Sequence, residues 1–180
     1  DLKDANLSGA DLTGALLTGA CLDGANLSGA KGLPLASDWL ARNFPRCRDG
    51  YLVFKRLGGG ETEYPPPAHW AVREGSVLEE VVGRDWTDLC ACGVNFATFA
   101  WCVEQYRHAD LWVCLLRWED LADAVVPLHT DGKARCARLT LLKTVPGPRA
   151  HIYPKFGAAD WCRLAGVEPH PADAAPPAEG

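Results

Sequence analysis

The sequence contains no methionine, no cluster of lysine and arginine, no second closely spaced cysteine pair, and no apolar run approaching the roughly 18 residues of a membrane-spanning helix. Contacts to nucleic-acid phosphates need clustered cations, and these 180 residues carry a net charge of −5, so no nucleic-acid partner is expected. Without a long apolar run, no membrane partner is expected either. Cys90-Ala91-Cys92 misses the C-x₂₋₄-C spacing of a zinc site, and His69, His108, His129, His151 and His170 are not grouped, which leaves no metal site to propose. The eight cysteines are scattered and several lie inside apolar runs. That suits small buried thiols in a reducing compartment, and with no signal peptide visible the expected location is cytoplasmic.

What is present is a period of five. Ala5-Asn6-Leu7-Ser8-Gly9 and the units after it place Leu2, Leu7, Leu12, Leu17, Leu22 and Leu27 at one position and Ala5, Ala10, Ala15, Ala20, Ala25 and Ala30 at another. Five matches neither the 3.6 of a helix nor the alternation of an ordinary strand. Gly9, Gly14, Gly19, Gly24 and Gly29 each oppose a helix by roughly 1 kcal/mol. A solenoid with leucine inward, alanine in the narrow gaps and glycine at the corners fits. The segment resembles the pentapeptide-repeat family, and the resemblance implies a right-handed, four-sided β-helix. Six units make only about one and a half coils, fewer than the three or so stacked repeats such folds need, so the stub must dock, pair or continue. The chain opens without Met, in mid-repeat at Asp1-Leu2-Lys3-Asp4, which points to a longer parent. Long solenoids of this family imitate duplex DNA and bind topoisomerases; a stub this short, with only Asp1, Asp4, Asp11 and Asp23 as acids, has no duplex-like face.

Gly32-Leu33-Pro34 ends the repeats, and Ser37 to Phe44 reads as a capping helix with Ser37 or Asp38 at its start and Pro45 as its stop. Trp39, Leu40 and Phe44 are expected to cover the open leucine end. Strands are expected at Tyr51–Leu57, Trp70–Val72, Ser76–Val82, Leu111–Leu116, Ala124–Pro127 and Arg135–Leu142, with a helix capped by Thr98 between the third and fourth. Gly58-Gly59-Gly60 lacks the Lys-Ser/Thr of a phosphate loop and reads as a hairpin loop. Ala158–Gly166 makes one last docked turn, and from Pro169 onward the Pro- and Ala-rich chain is expected to be disordered.

Two further resemblances bear on function. Cys90-x-x-Gly93-Val94-Asn95-x-Ala97-Thr98, Asp123-x-Val125-Val126-Pro127 and Asp131-Gly132-Lys133-x-Arg135-Cys136 are similar to an uncharacterised domain that follows pentapeptide repeats in bacterial and phage proteins, over roughly Tyr51 to Leu142. Cys92 and Phe96 depart from that pattern. The order of a polar residue on a first strand (Lys55 or Arg56), Gly93-x-Asn95-x-Ala97-Thr98, and a helix ending in Tyr106 is also similar to ADP-ribosyltransferases. That likeness implies NAD binding by Lys55, Asn95, Thr98 and Tyr106, with Glu119 as the nearest candidate for the catalytic glutamate. Independently, Cys90 is a candidate nucleophile with His108 or His129 as base.

The expected fold class is mainly β or α+β: a short right-handed β-helix over residues 1–32, a capping helix and linker over 33–48, a small mixed α+β domain over 49–145, and a partly disordered tail over 146–180. The expected function is a structural or protein-interaction module, its solenoid a stalk or oligomer contact, with a protein partner or second copy and no cofactor. The alternative is an ADP-ribosyltransferase-like, NAD-binding domain.

Overall fold

A computed structural model describes residues 1–58, 65–105, 109–145 and 155–173. The chain is mixed rather than mainly β, with 21% helix and 26% strand. Its body is one antiparallel sheet curled into a half-barrel. The strands are β1 (Arg46–Cys47), β2 (Gly50–Arg56), β3 (Val77–Glu79), β4 (Val94–Ala97), β5 (Leu111–Arg117), β6 (Lys133–Cys136) and β7 (Arg138–Thr144), in the order β3-β7-β5-β2-β4-β6 with β1 folded back on β2. The spine is the pair β2 and β5, in register from Gly50 opposite Arg117 to Arg56 opposite Leu111. Continuous apolar runs dictate this placement: Leu111 to Leu116 are buried without interruption, as are Gly50 to Phe54, so both strands must be covered on both faces.

Three short helices provide part of that cover: α1 (Ala36–Asn43), α2 (Phe99–Glu104) and α3 (Ala158–Ala165). Thr98 caps α2 by accepting the Trp101 amide at 3.2 Å. From α3, Trp161 sets its ring edge-on to Phe54 at 4.7 Å, and Gly166 ends that helix in the left-handed conformation. Each such fully buried apolar side chain contributes about 1.5–3 kcal/mol. Beyond α3 the chain returns to β1, where Arg46 grips Asp173 with two nitrogens at 2.7 and 3.0 Å. No helix among the described residues is long and apolar enough to cross a membrane.

The expected right-handed parallel β-helix is not the architecture. Residues 1–31 contain no strand; the two turns are joined by single backbone hydrogen bonds such as Leu2 to Cys21 and Gly9 to Ser28, and by two isolated parallel bridges, Asn6 with Asn26 and Asp11 with Lys31, each joining residues four pentapeptides apart. Gly9, Gly14, Gly19, Gly24 and Gly29 all take φ near +70°, which breaks the extended backbone at every fifth residue. With so few units each bridge has one partner turn rather than two, so no parallel ladder propagates. The helix after the repeats also differs from expectation. It is preceded by Leu35 with no side-chain cap, and Leu40 and Phe44 sink into the sheet core, Phe44 meeting Phe96 edge-on at 5.7 Å. A larger apolar surface lies on that side. Leu128 instead covers the leucines of the second turn, Leu22 and Leu27.

Smaller departures have local causes. Trp70–Val72 forms no strand, Ala124–Pro127 contributes a single bridge from Val125 to Arg135, and Ala137 divides the expected strand over 135–142 into β6 and β7. The expected strand at 76–82 shortens to β3, which pairs only with β7 at the sheet's edge.

Burial in this core pushes thiols up from their ordinary 9.0: Cys102 and Cys136 to about 12, Cys162 to about 11. The unfolded chain therefore releases these protons first, so their contribution to stability is complete below about pH 9 and is lost as pH rises through the folded values. We expect the free energy of unfolding in urea to fall steadily from about pH 9 to pH 11, and Cys102→Ala to make that fall shallower. A stability that stays level over this interval would count against the protonated core.

Candidate functional site

Beside the end of β2, at Lys55 and Arg56, lies a cavity of about 480 Å³, within the range of small-molecule sites. Three groups of residues build it. The first is cationic: Lys55 and Arg56 from β2 and Lys133 from β6. The second is aromatic, Trp70 and Trp101. The third is the backbone of β4 together with Leu89 and Cys90.

Lys55 is half-buried, and its Nζ donates to the carbonyl of Asn95 at 2.6 Å while standing 5.3 Å from the Trp70 ring centre. Burial pushes its ammonium below the usual lysine range. Unlike the thiols, this group makes stability rise as pH climbs towards the ordinary lysine range. Trp70 is fixed by its indole N–H, which donates to the Glu79 carbonyl at 3.2 Å. Lys133 mirrors Lys55: its Nζ lies 5.4 Å from the Trp101 ring centre and donates to Cys90 Sγ at 3.7 Å. Trp101 in turn donates to Asp131 at 3.0 Å. The Arg56 guanidinium is committed to backbone, donating to the carbonyls of Cys102 at 2.9 Å and Ala109 at 2.6 Å. No carboxylate stands among the described residues that line the cavity.

The wall that carries Leu89 and Cys90 is shaped by one residue. Arg135 on β6 has no exposed surface, and its guanidinium donates to the carbonyls of Gly83 and Asp88, each at 2.7 Å, and of Asp85. Desolvation pushes the guanidinium down, and Asp88 and Asp85 partly restore it. Within the same loop the hydroxyl and amide of Thr87 both donate to the Asp85 carboxylate, holding that carboxyl below its usual range. Gly93 then enters β4 with φ of +137°, a conformation closed to most side chains.

The structure brings three of the sequence-derived candidates together: Lys55, Asn95 and Cys90 line this one cavity. It separates the others. Thr98 is used as the cap of α2 and faces a second, more open hollow with Phe99 and Trp161. Glu119 lies in the 3₁₀ turn Trp118–Asp123 that follows β5, at the strand end opposite the Trp112 that pairs with Lys55. Five residues of strand, roughly 17 Å, intervene. Tyr106 and His108 lie outside the described residues. His129 is buried where the repeats meet the sheet, its Nδ1 without a partner among the described residues, and its carbonyl accepts from Gly19 at 3.3 Å. Cys90 and Cys92 are both exposed, and among the described residues no three of His, Cys, Asp and Glu are grouped to hold a metal.

Sequence reasoning missed Trp70, Trp101, Lys133 and Arg135 as site residues. For Arg135 a signal was present: a cation between the small apolar residues Ala134 and Cys136 on a strand needs a special partner if it is buried. For the two tryptophans there was none, since nothing local separates a cavity wall from a core.

Comparison with known proteins adds one match: residues 1–31 fit the family model of pentapeptide repeats (8 copies). No curated protein and no solved structure matches the chain. The resemblance of later residues to an uncharacterised domain has no counterpart in these comparisons.

Replacing Arg135 with methionine removes all three donors at once and leaves the loop carbonyls to find water. We expect a loss of about 2–4 kcal/mol in urea denaturation, with Arg135→Lys recovering less than half of it because an ammonium lacks the planar fork. A loss below about 0.5 kcal/mol, the size of an ordinary surface change, would show that the loop holds itself.

Proposed function

We propose that this chain is a protein-interaction module that assembles through its repeat coil, the partner being a second copy. Pentapeptide repeats are generally structural or interaction modules. The observation that carries the finer reading is the contrast between the two turns. In the second, Leu22 and Leu27 are 0% and 8% exposed beneath Leu128; in the first, Leu2, Leu7, Leu12 and Leu17 remain half-exposed.

The backbone repeats this contrast. In the second turn the amides of Asn26 and Lys31 donate back to the carbonyls of Ala5 and Ala10, at 2.9 and 2.8 Å. The equivalent amides one turn earlier, Asn6 and Asp11, have no acceptor among the described residues. An edge with unpaired N–H and C=O groups is a template for pairing. A second copy related by a two-fold axis satisfies donors and acceptors alike, because the same face carries both. Leu16, 95% exposed, adds apolar surface to the first turn.

Sedimentation equilibrium tests the reading. The chain is expected to run as a dimer at tens of micromolar, and Leu7→Asp, which sets a charge in the half-exposed leucine row, is expected to give a monomer whose near-ultraviolet circular dichroism still reports a packed sheet. A wild-type chain that stays monomeric at about 100 μM, a concentration at which even a Kd of 10 μM would show, would refute the assembly.

A further inference from the structure

We propose that the cavity beside β2 binds a small planar organic anion, its ring against Trp70 and Trp101 and its charged group held by Lys55 and Lys133. The inference is independent of the repeat coil. It begins with a mismatch of charge. Two ammonium groups enter the same cavity, and neither forms an ion pair with a carboxylate among the described residues, although Lys143 and Arg138 elsewhere on the sheet each do. Lys55 instead has one backbone carbonyl and Lys133 a thiol. An ammonium has three donor hydrogens, so each retains capacity that an anionic ligand would use.

The aromatic walls define the rest of the ligand. Each ammonium stands over an indole at 5.3 or 5.4 Å, so the cations and the ring faces belong to the same surface. Both rings are held by their own N–H bonds, to the Glu79 carbonyl and the Asp131 carboxylate, which makes the walls rigid before any ligand arrives. The rest of the lining is mainly apolar, including Phe96, Leu57 and Pro66. A few fixed polar groups in an apolar hollow of this size are the usual composition of a small-ligand site. A ligand that is flat and carries one concentrated negative charge meets all of these features. A carboxylate and a phosphate are the two sources of such a charge.

Calorimetric titration of the full chain with two matched pairs tests this: indole-3-acetate against its uncharged amide, and adenosine monophosphate against adenosine. At least one anion is expected to bind about tenfold or more tightly than its neutral partner, as charge-assisted hydrogen bonds require. The pair that shows the preference identifies carboxylate or phosphate as the source of charge. Lys133→Met and Lys55→Met are each expected to reduce the preference to threefold or less, while Lys133→Arg keeps it. Because Lys133 is on the cavity rim, its variant keeps the test sharp even if Lys55→Met fails to fold. No binding of either anion up to about 5 mM, equal binding of anion and neutral partner, or a preference that survives Lys133→Met would overturn the proposal.

Discussion

The Arg135 guanidinium is the point on which the parts of this molecule converge. It is completely buried and has no carboxylate at ion-pair distance among the described residues, so its charge is balanced by three backbone carbonyls. A buried cation solvated by carbonyls is costly unless the geometry is met in full, which is why the chain from Gly83 to Asp88 folds tightly around it. Its backbone does a second job. The amide and carbonyl of Arg135 exchange hydrogen bonds with Val125 at 3.0 and 2.8 Å, fixing the segment that leads to Leu128. The Leu128 amide then donates to Trp86, inside the loop that the guanidinium holds. One residue thus ties β6, the cavity wall and the plug of the repeat coil into a closed circuit.

That circuit explains how so short a coil is ordered. A turn and a half of repeats cannot bury its leucines alone, and solenoids ordinarily end in a specialised terminal repeat. Here a loop of the sheet domain fills that position. Leu128 enters the leucine row and the His129 carbonyl accepts the Gly19 amide. The burial of Leu22 and Leu27 is therefore a property of the sheet domain as much as of the repeats.

The sequence announced some of this and concealed the rest, for physical reasons. The five-residue period was visible because each position has one environment, and the bridges at four-unit spacing follow from it. The long apolar runs of β2 and β5 and the Thr98 cap were visible because they are local. A parallel β-helix was the wrong extension of a correct period, since a ladder depends on how many turns stack and not on the motif within one turn. The order of strands was not legible: β2 pairs with β5 across the whole β3 to α2 segment, and no residue in either strand names the other. For the same reason Lys55 was singled out as a polar residue on a strand, while Lys133, which shares its cavity, entered only as one position of a motif.

The two ends of the molecule are built on opposite principles. At the coil, the backbone amides of Asn6 and Asp11 have no acceptor among the described residues, and a surface with the same repeat spacing would complete them. At the cavity the unmet capacity belongs to side-chain cations. The first kind of deficit is shared by every turn end of a repeat protein and specifies only shape. The second is particular, because Lys55 and Lys133 come from β2 and β6, which meet only through β4. Alanine at position 97, opposite both Phe54 and Lys133, leaves room between them. A sheet that needed only to be stable would fill that gap with apolar side chains, since a half-buried ammonium lowers stability wherever no anion compensates it. Its persistence beside two fixed indoles is what the proposed ligand accounts for, at a surface separate from the repeat coil and joined to it through Arg135.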